Sequence, residues 1–124
     1  MIKKFLVVGN PIEHSLSPKL HNYWMKKNKI DAVYESRFIE NKELKKIISE
    51  LREDKIHGAN ITLPFKKNII PFLDDLSAEA KISGSVNTIY KKRNVIIGDN
   101  TDIFGFETSL KNANHLLTTI KLNI

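Results

Sequence analysis

The stretch Gly58-Ala59-Asn60-Ile61-Thr62-Leu63-Pro64-Phe65-Lys66 constrains the fold more than any other part of this chain. An apolar run passes two short polar side chains, meets a proline and delivers a lysine. Proline has no N–H to donate and a fixed φ, so a strand through Ile61 cannot continue past Pro64 as an interior ladder member. The residue before a proline is pushed toward extended backbone, which suits Leu63 at a strand end. Asn60, Thr62 and Lys66 are therefore expected where a strand ends and a helix begins. In open α/β sheets that edge is where ligands bind.

The chain has 124 residues, one domain's worth and enough for a real core. No apolar run approaches the roughly 18–20 residues that cross a bilayer, and the apolar segment at Phe5–Val8 runs straight into Gly9-Asn10-Pro11. That reads as a first strand rather than a signal peptide. Cysteine is absent, which excludes disulfides, thiol catalysis and Cys-ligated metal. A cytoplasmic enzyme fits these features. The net charge is +6, but the basic residues fall in short groups such as Lys45-Lys46, Lys66-Lys67 and Lys91-Lys92-Arg93. No long basic run forms and no aromatics interleave with the charges, so no nucleic-acid partner is expected. A basic surface that attracts small anionic metabolites is.

Along the chain, Lys3–Gly9 reads as a buried strand, and Ser17 followed by Pro18 as an N-cap with a first-turn proline. Leu20, Tyr23 and Trp24 then mark the packed face of a helix ending near Asn28-Lys29. Ala32–Ile39 alternates as a strand. Asn41 caps a helix packed through Leu44, Ile47, Ile48 and Leu51, with Lys42, Glu43, Glu50, Arg52 and Glu53 on a solvated face. Ile56–Thr62 is the next strand. A short apolar segment is interrupted by Pro71, Asp74-Asp75 make a surface turn, and Ser77 caps a short helix. Val86–Tyr90 and Val95–Gly98, separated by Lys91-Lys92-Arg93-Asn94, read as a hairpin. A last helix carries Ile103, Phe106, Leu110, Ala113, Leu117 and Ile120 on one face, and uncovered Phe104 or Leu116 beside it would favour self-association. The fold class is α/β: a three-layer sandwich with helices on both faces of a mostly parallel sheet carrying one antiparallel hairpin strand.

Three polar clusters fall at strand ends or helix starts: Ser15/Ser17, Asn60/Thr62/Lys66 and Asn100/Thr101/Asp102, with Asn87 inside a strand as a fourth candidate. Such a set suits a small polyhydroxylated acid. Hydroxyls at a helix N-terminus hold a carboxylate, amides bridge hydroxyls, and a lysine–aspartate pair handles a proton. Plain helix capping is the alternative for the two serines. His14, His21, His57 and His115 show no ligand spacing, so no metal site is expected.

Gly9-Asn10-Pro11-Ile12-Glu13-His14-Ser15-Leu16-Ser17-Pro18, with His21-Asn22, resembles the opening signature of the shikimate dehydrogenase family. Gly58–Lys66 resembles that family's central motif, Ser85-Val86-Asn87-Thr88 its third, and Gly98-Asp99-Asn100-Thr101-Asp102 with Gly105-Phe106 its fourth. The resemblance implies reversible oxidation of shikimate to 3-dehydroshikimate with NADP, on the route to chorismate and the aromatic amino acids. It implies that Ser15 and Ser17 bind the substrate carboxylate and that Asn60, Thr62, Asn87 and Asp102 contact ring hydroxyls. Lys66 matches the catalytic lysine, with Asp102 as its partner. Desolvation helps a lysine to accept a proton and a nearby carboxylate opposes it, so the pair either relays a proton or serves as a base.

The resemblance also marks a departure. Shikimate dehydrogenases carry a second, NADP-binding Rossmann domain, whereas the five glycines here include no GxGxxG spacing. The expectation is a substrate-binding domain over residues 1–124 with the NADP-binding domain absent, binding shikimate but no cofactor and inactive alone. The family's glutamine contact from its C-terminal region is missing as well. A quinate/shikimate dehydrogenase fragment and a free-standing, non-catalytic shikimate-binding module are the alternatives, beside a scaffold with no ligand. Homodimerisation is left open.

Overall fold

The computed structural model describes residues 2–12 and 16–102, with Ser17 by its backbone alone. The expected final helix, Phe104 and Leu116, and Ser15 lie outside the described residues.

Strand β1 (Lys3–Gly9) forms the middle of the parallel part of a six-stranded sheet, in the order β2-β1-β3-β5-β6-β4. Leu6, Val7 and Val8 are all buried, the near-continuous apolar run expected of a strand covered on both faces. β2 (Ala32–Phe38) and β3 (Gly58–Ile61) flank it in parallel. β5 (Thr88–Lys92) runs antiparallel to both β3 and β6 (Val95–Asp99). Its hairpin turn is tighter than expected. Arg93 and Asn94 alone make it, both at positive φ, the two-residue geometry whose twist matches the strands. A two-residue strand β4 (Asp75–Leu76) pairs in parallel with β6, where a surface turn was expected.

Helix α2 (Leu44–Arg52) buries Leu44, Ile47, Ile48 and Leu51 as its spacing predicts. These pack with Leu6, Val8, Ala59, Ile61, Ile89 and Ile96 into the main core on one face of the sheet. The cap lies one residue earlier than expected. Glu40 and Glu43 form a capping box ahead of a 3-10 turn, and Asn41 instead accepts a hydrogen bond from Asn68 (3.0 Å). Glu50 is not solvated either; it takes Arg37 of β2 at 2.6 Å. Helix α3 (Ala78–Ser83) is capped as expected, with Ser77 Oγ accepting from Ala80 N at 3.1 Å.

Helix α1 (Ser17–Lys27) covers the opposite face, where Val7, Ile12 and Tyr34 pack with Phe5 and Met25. Its orientation corrects the sequence reading twice. Leu16, not Ser17, holds the N-cap position. Leu20, Tyr23 and Trp24 point outward, at 52%, 60% and 56% exposure. The helix is instead held by Asn22, whose amide donates to Tyr34 O and accepts from Tyr34 N, both at 2.8 Å. Two hydrogen bonds to one backbone unit set which side faces the sheet. No helix among the described residues is long and apolar enough to cross a membrane.

Candidate functional site

The exits of β1 and β3 are stitched together. Thr62 N donates to Val8 O (3.0 Å) and Asn10 N to Leu63 O (3.1 Å). The Asn10–Pro11 and Leu63–Pro64 peptide bonds at these exits are both cis. β3 ends at Ile61, so Thr62 lies just past it, and the chain then turns through Lys66 without entering an α-helix. The backbones pass so closely that a Cβ added at Gly9 would lie 2.3 Å from Thr62 Cγ2. Only glycine fits there.

A cleft of about 480 Å³ opens along this edge, lined by His21, Asn60, Thr62, Lys66, Asn87 and Asp102 between apolar walls that include Val7 and Ile12. Its volume falls in the range of small-molecule sites, about 300–1,000 Å³. Five candidates read from the sequence, Asn60, Thr62, Lys66, Asn87 and Asp102, are thus brought together. Ser17 opens α1, but its side chain, like the whole of Ser15, lies outside the described residues.

Lys66, Asp102, Asn87 and Asn60 are linked by polar contacts, the last two through Thr88. Lys66 Nζ meets Asp102 Oδ2 at 2.9 Å, and Asn87 Nδ2 donates to Asp102 Oδ1 at 2.9 Å. Asn87 immediately precedes β5 rather than lying within a strand. This placement lets its Oδ1 accept from Thr101 N (3.0 Å) while its Nδ2 also donates to Thr101 Oγ1 (2.9 Å). Asp102 is held from behind. Buried Asn100 accepts from Asp102 N (2.9 Å) and donates to Ser83 Oγ and Ser85 O, each at 3.1 Å. Asn100 therefore serves the scaffold. The Lys66 side chain is 29% exposed and that of Asp102 57%, a half-covered cation–carboxylate pair open to a ligand.

Two residues that sequence reasoning passed over contact this set. Tyr34 Oη donates to Asn60 Oδ1 (2.5 Å), and Thr88 Oγ1 accepts from Asn60 Nδ2 (3.1 Å) and donates to Asn87 Oδ1 (3.0 Å). Their signal lay in strand alternation, which puts Tyr34, Asn60 and Thr88 on one face of the sheet. His21, quoted among the motif residues but given no role, stacks on Tyr34 with centroids 4.4 Å apart. Among the described residues the cleft brings together a cation, a carboxylate, two amides and a threonine hydroxyl. Among the described residues no group of three or more His, Asp or Glu is placed to hold a metal ion.

Comparison with known proteins gives a consistent result. Residues 7–89 match the family described as the shikimate dehydrogenase substrate binding domain. The chain is 66% identical over 111 residues to the shikimate dehydrogenase (NADP(+)) of Pelagibacter ubique, covering 90% of this chain and 42% of that protein. It is 43% identical over 108 residues to the Streptococcus thermophilus enzyme of the same name, covering 87% and 38%. Among solved structures, shikimate 5-dehydrogenase from Listeria monocytogenes in complex with shikimate and NAD superposes with a TM-score of 0.85. It is 36% identical over 91% of this chain and 39% of its own. The Thermus thermophilus enzyme in complex with shikimate gives a TM-score of 0.83 at 34% identity, covering 91% and 43%. The chain thus spans about two-fifths of the length of these relatives.

Proposed function

As the chain belongs to the shikimate dehydrogenase substrate-binding domain family, we propose that its cleft binds shikimate and 3-dehydroshikimate. In that reading the bound alcohol is the one whose reversible oxidation the whole protein carries out, on the route to chorismate. The observation that carries the reading is the convergence of Lys66, Asp102, Asn60, Thr62 and Asn87 on one cleft from three separate stretches of chain. Lys66 and Asp102 flank the reacting hydroxyl. The lysine holds or takes its proton while the carboxylate orients the ammonium. Asn60, Thr62 and Asn87 hold the ring hydroxyls, and Ser15 and Ser17 take the carboxylate at the start of α1. The assembly is a cytoplasmic one with a small-molecule partner.

NADP, named for the relatives, does not fit the described glycines. A dinucleotide needs bare glycine backbone against its pyrophosphate. Here the space beside Gly9 is filled by Thr62, beside Gly58 by Phe5, and beside Gly98 by Leu73 and Val86, while Gly84 ends α3 at φ 64°. We therefore assign these residues substrate binding and proton handling, with the cofactor seated elsewhere and no hydride transfer by the 124 residues alone.

Thermal denaturation with shikimate, quinate and NADP tests this reading. A ligand of the native state alone raises the midpoint by mass action, by about 2.7 kcal/mol of stability at a hundredfold excess over its Kd. Shikimate is expected to raise the midpoint and NADP to leave it unmoved. A shift with NADP alone, or none with any ligand, refutes the assignment.

A further inference from the structure

His21 stands on the α1 side of the cleft, beside Pro11 and Ile12, with its ring held and its nitrogens unspent. One face of the imidazole lies on Tyr34, with centroids 4.4 Å apart and planes 16° from parallel. Trp24 stands across it at 6.4 Å, tilted by 70°. Asn22, the next residue, ties this turn of α1 to the Tyr34 backbone by two hydrogen bonds of 2.8 Å. Stacking uses the face of a ring and leaves its edge, where both imidazole nitrogens lie.

Those nitrogens have no hydrogen-bond partner among the described residues, whereas Asn60, Lys66, Asn87 and Asp102 are all bonded to their neighbours. No buried side-chain nitrogen or oxygen among the described residues lacks a partner. Both His21 nitrogens are therefore open to solvent or to a ligand.

The charges of the cleft decide where an anion can sit. Lys66 and Asp102, 2.9 Å apart, cancel one another, and Asp102 repels a carboxylate placed beside it. With the reacting hydroxyl of a hydroxy acid at that pair, its carboxylate belongs at the opposite end, toward α1. Ser17 opens that helix and His21 follows four residues later, about one turn along. An imidazole carries at least one N–H donor in either protonation state, and a hydrogen bond to an ionised acceptor is the strong kind.

We propose that His21 is a specificity-determining residue, which donates a hydrogen bond from its ring N–H to the carboxylate of the bound hydroxy acid. The inference rests on the shikimate-binding reading and deepens it, adding a donor to those assigned to Ser15 and Ser17. Tyr34 and Asn22 aim the ring before the ligand arrives, so little ordering is left to be done on binding. The contact favours the acid over a neutral analogue with the same ring.

The test uses the full 124-residue chain with shikimate and its methyl ester. His21→Phe keeps a ring against Tyr34 and removes both nitrogens, and urea melts report whether it folds. Calorimetric titration is expected to show shikimate weakened about tenfold and the ester by no more than about twofold. The second readout needs no substitution: long-range 15N–1H correlation of the His21 ring in the wild-type chain. Shikimate is expected to shift one ring nitrogen more than the ester does. Equal weakening of the two ligands, or weakening of neither, overturns the contact. Ring signals that stay fixed while shikimate saturates the chain overturn it as well, and they decide alone if His21→Phe does not fold. If wild type binds neither ligand, the functional reading falls and the contact with it; if shikimate binds and His21 ignores it, only the contact falls.

Discussion

Replacing Gly9 by alanine tests whether the edge of the sheet and the cleft are one mechanical unit. The added Cβ would sit 2.3 Å from Thr62 Cγ2, 3.2 Å from Leu63 O and 3.3 Å from Ile12 Cδ1. Carbon atoms rest about 3.5–4.0 Å apart, so the Thr62 methyl must retreat by more than about 1 Å. The backbone cannot carry it away cheaply. Thr62 N is tied to Val8 O at 3.0 Å, and Phe65 N donates to Thr62 O at 3.1 Å. Rotation about χ1 is the remaining escape, which a β-branched side chain resists and which also re-aims the hydroxyl. Overpacking of this kind costs about 1–3 kcal/mol. With a urea m-value of roughly 1–3 kcal/mol per molar, 2 kcal/mol lowers the unfolding midpoint by about 1 M. Thr62→Ser removes the obstructing methyl and keeps the hydroxyl. The double variant should therefore recover about 1–2 kcal/mol relative to the sum of the single changes. Urea melts of the four chains, with shikimate titration of each, measure both effects. A Gly9→Ala midpoint equal to wild type, or a deficit that Thr62→Ser leaves untouched, would show that the two exits are not in contact as described.

Asp102→Asn should weaken shikimate binding about tenfold, as the loss of a charge-assisted partner predicts, yet leave the unfolding free energy from urea melts within about 1 kcal/mol because exposed ion pairs contribute little. Its 57% side-chain exposure motivates that split; a large fall in stability with unchanged affinity would make the pair a staple instead of a ligand contact. The Asp74 carboxyl is held below its ordinary range by Arg52, which donates at 2.7 Å, and by Ile96 N at 2.8 Å. Its folded pKa is depressed, so its contribution to stability is complete above the unfolded value of about 3.9 and is lost as pH falls through the lower folded value. Urea midpoints should therefore fall more as the pH is lowered from about 5 into the acid range in wild type than in Asp74→Asn, and parallel profiles would remove Asp74 from the acid response.

What the sequence made legible, and what it did not, divides along a physical line. Burial patterns carried well. The Leu44, Ile47, Ile48, Leu51 spacing gave the packed side of α2, and Phe5–Val8 gave the central strand. Backbone chemistry carried too: Pro64 ended β3 close to where it had to, and Ser77 capped α3 as its position requires. The failures came where polar contacts outvoted hydrophobicity. On α1 the apolar residues Leu20, Tyr23 and Trp24 would win any count of oily side chains, but Asn22 makes two hydrogen bonds to one backbone unit of β2 and turns them outward. Each such bond contributes about 1 kcal/mol, and leaving the Tyr34 backbone groups unpaired would cost more than that. Glu50 was misread for the same reason, since its partner Arg37 lies 13 residues away in sequence. The site obeys the same division. Residues at strand ends were recognisable because the chain direction places them. Tyr34 and Thr88 were not, because what they contribute is the direction of a proton, fixed only when Thr101 N, two asparagine amides and a carboxylate come within hydrogen-bonding distance. A motif can name the groups that meet a ligand, whereas which way each group faces is decided by neighbours that the motif does not contain.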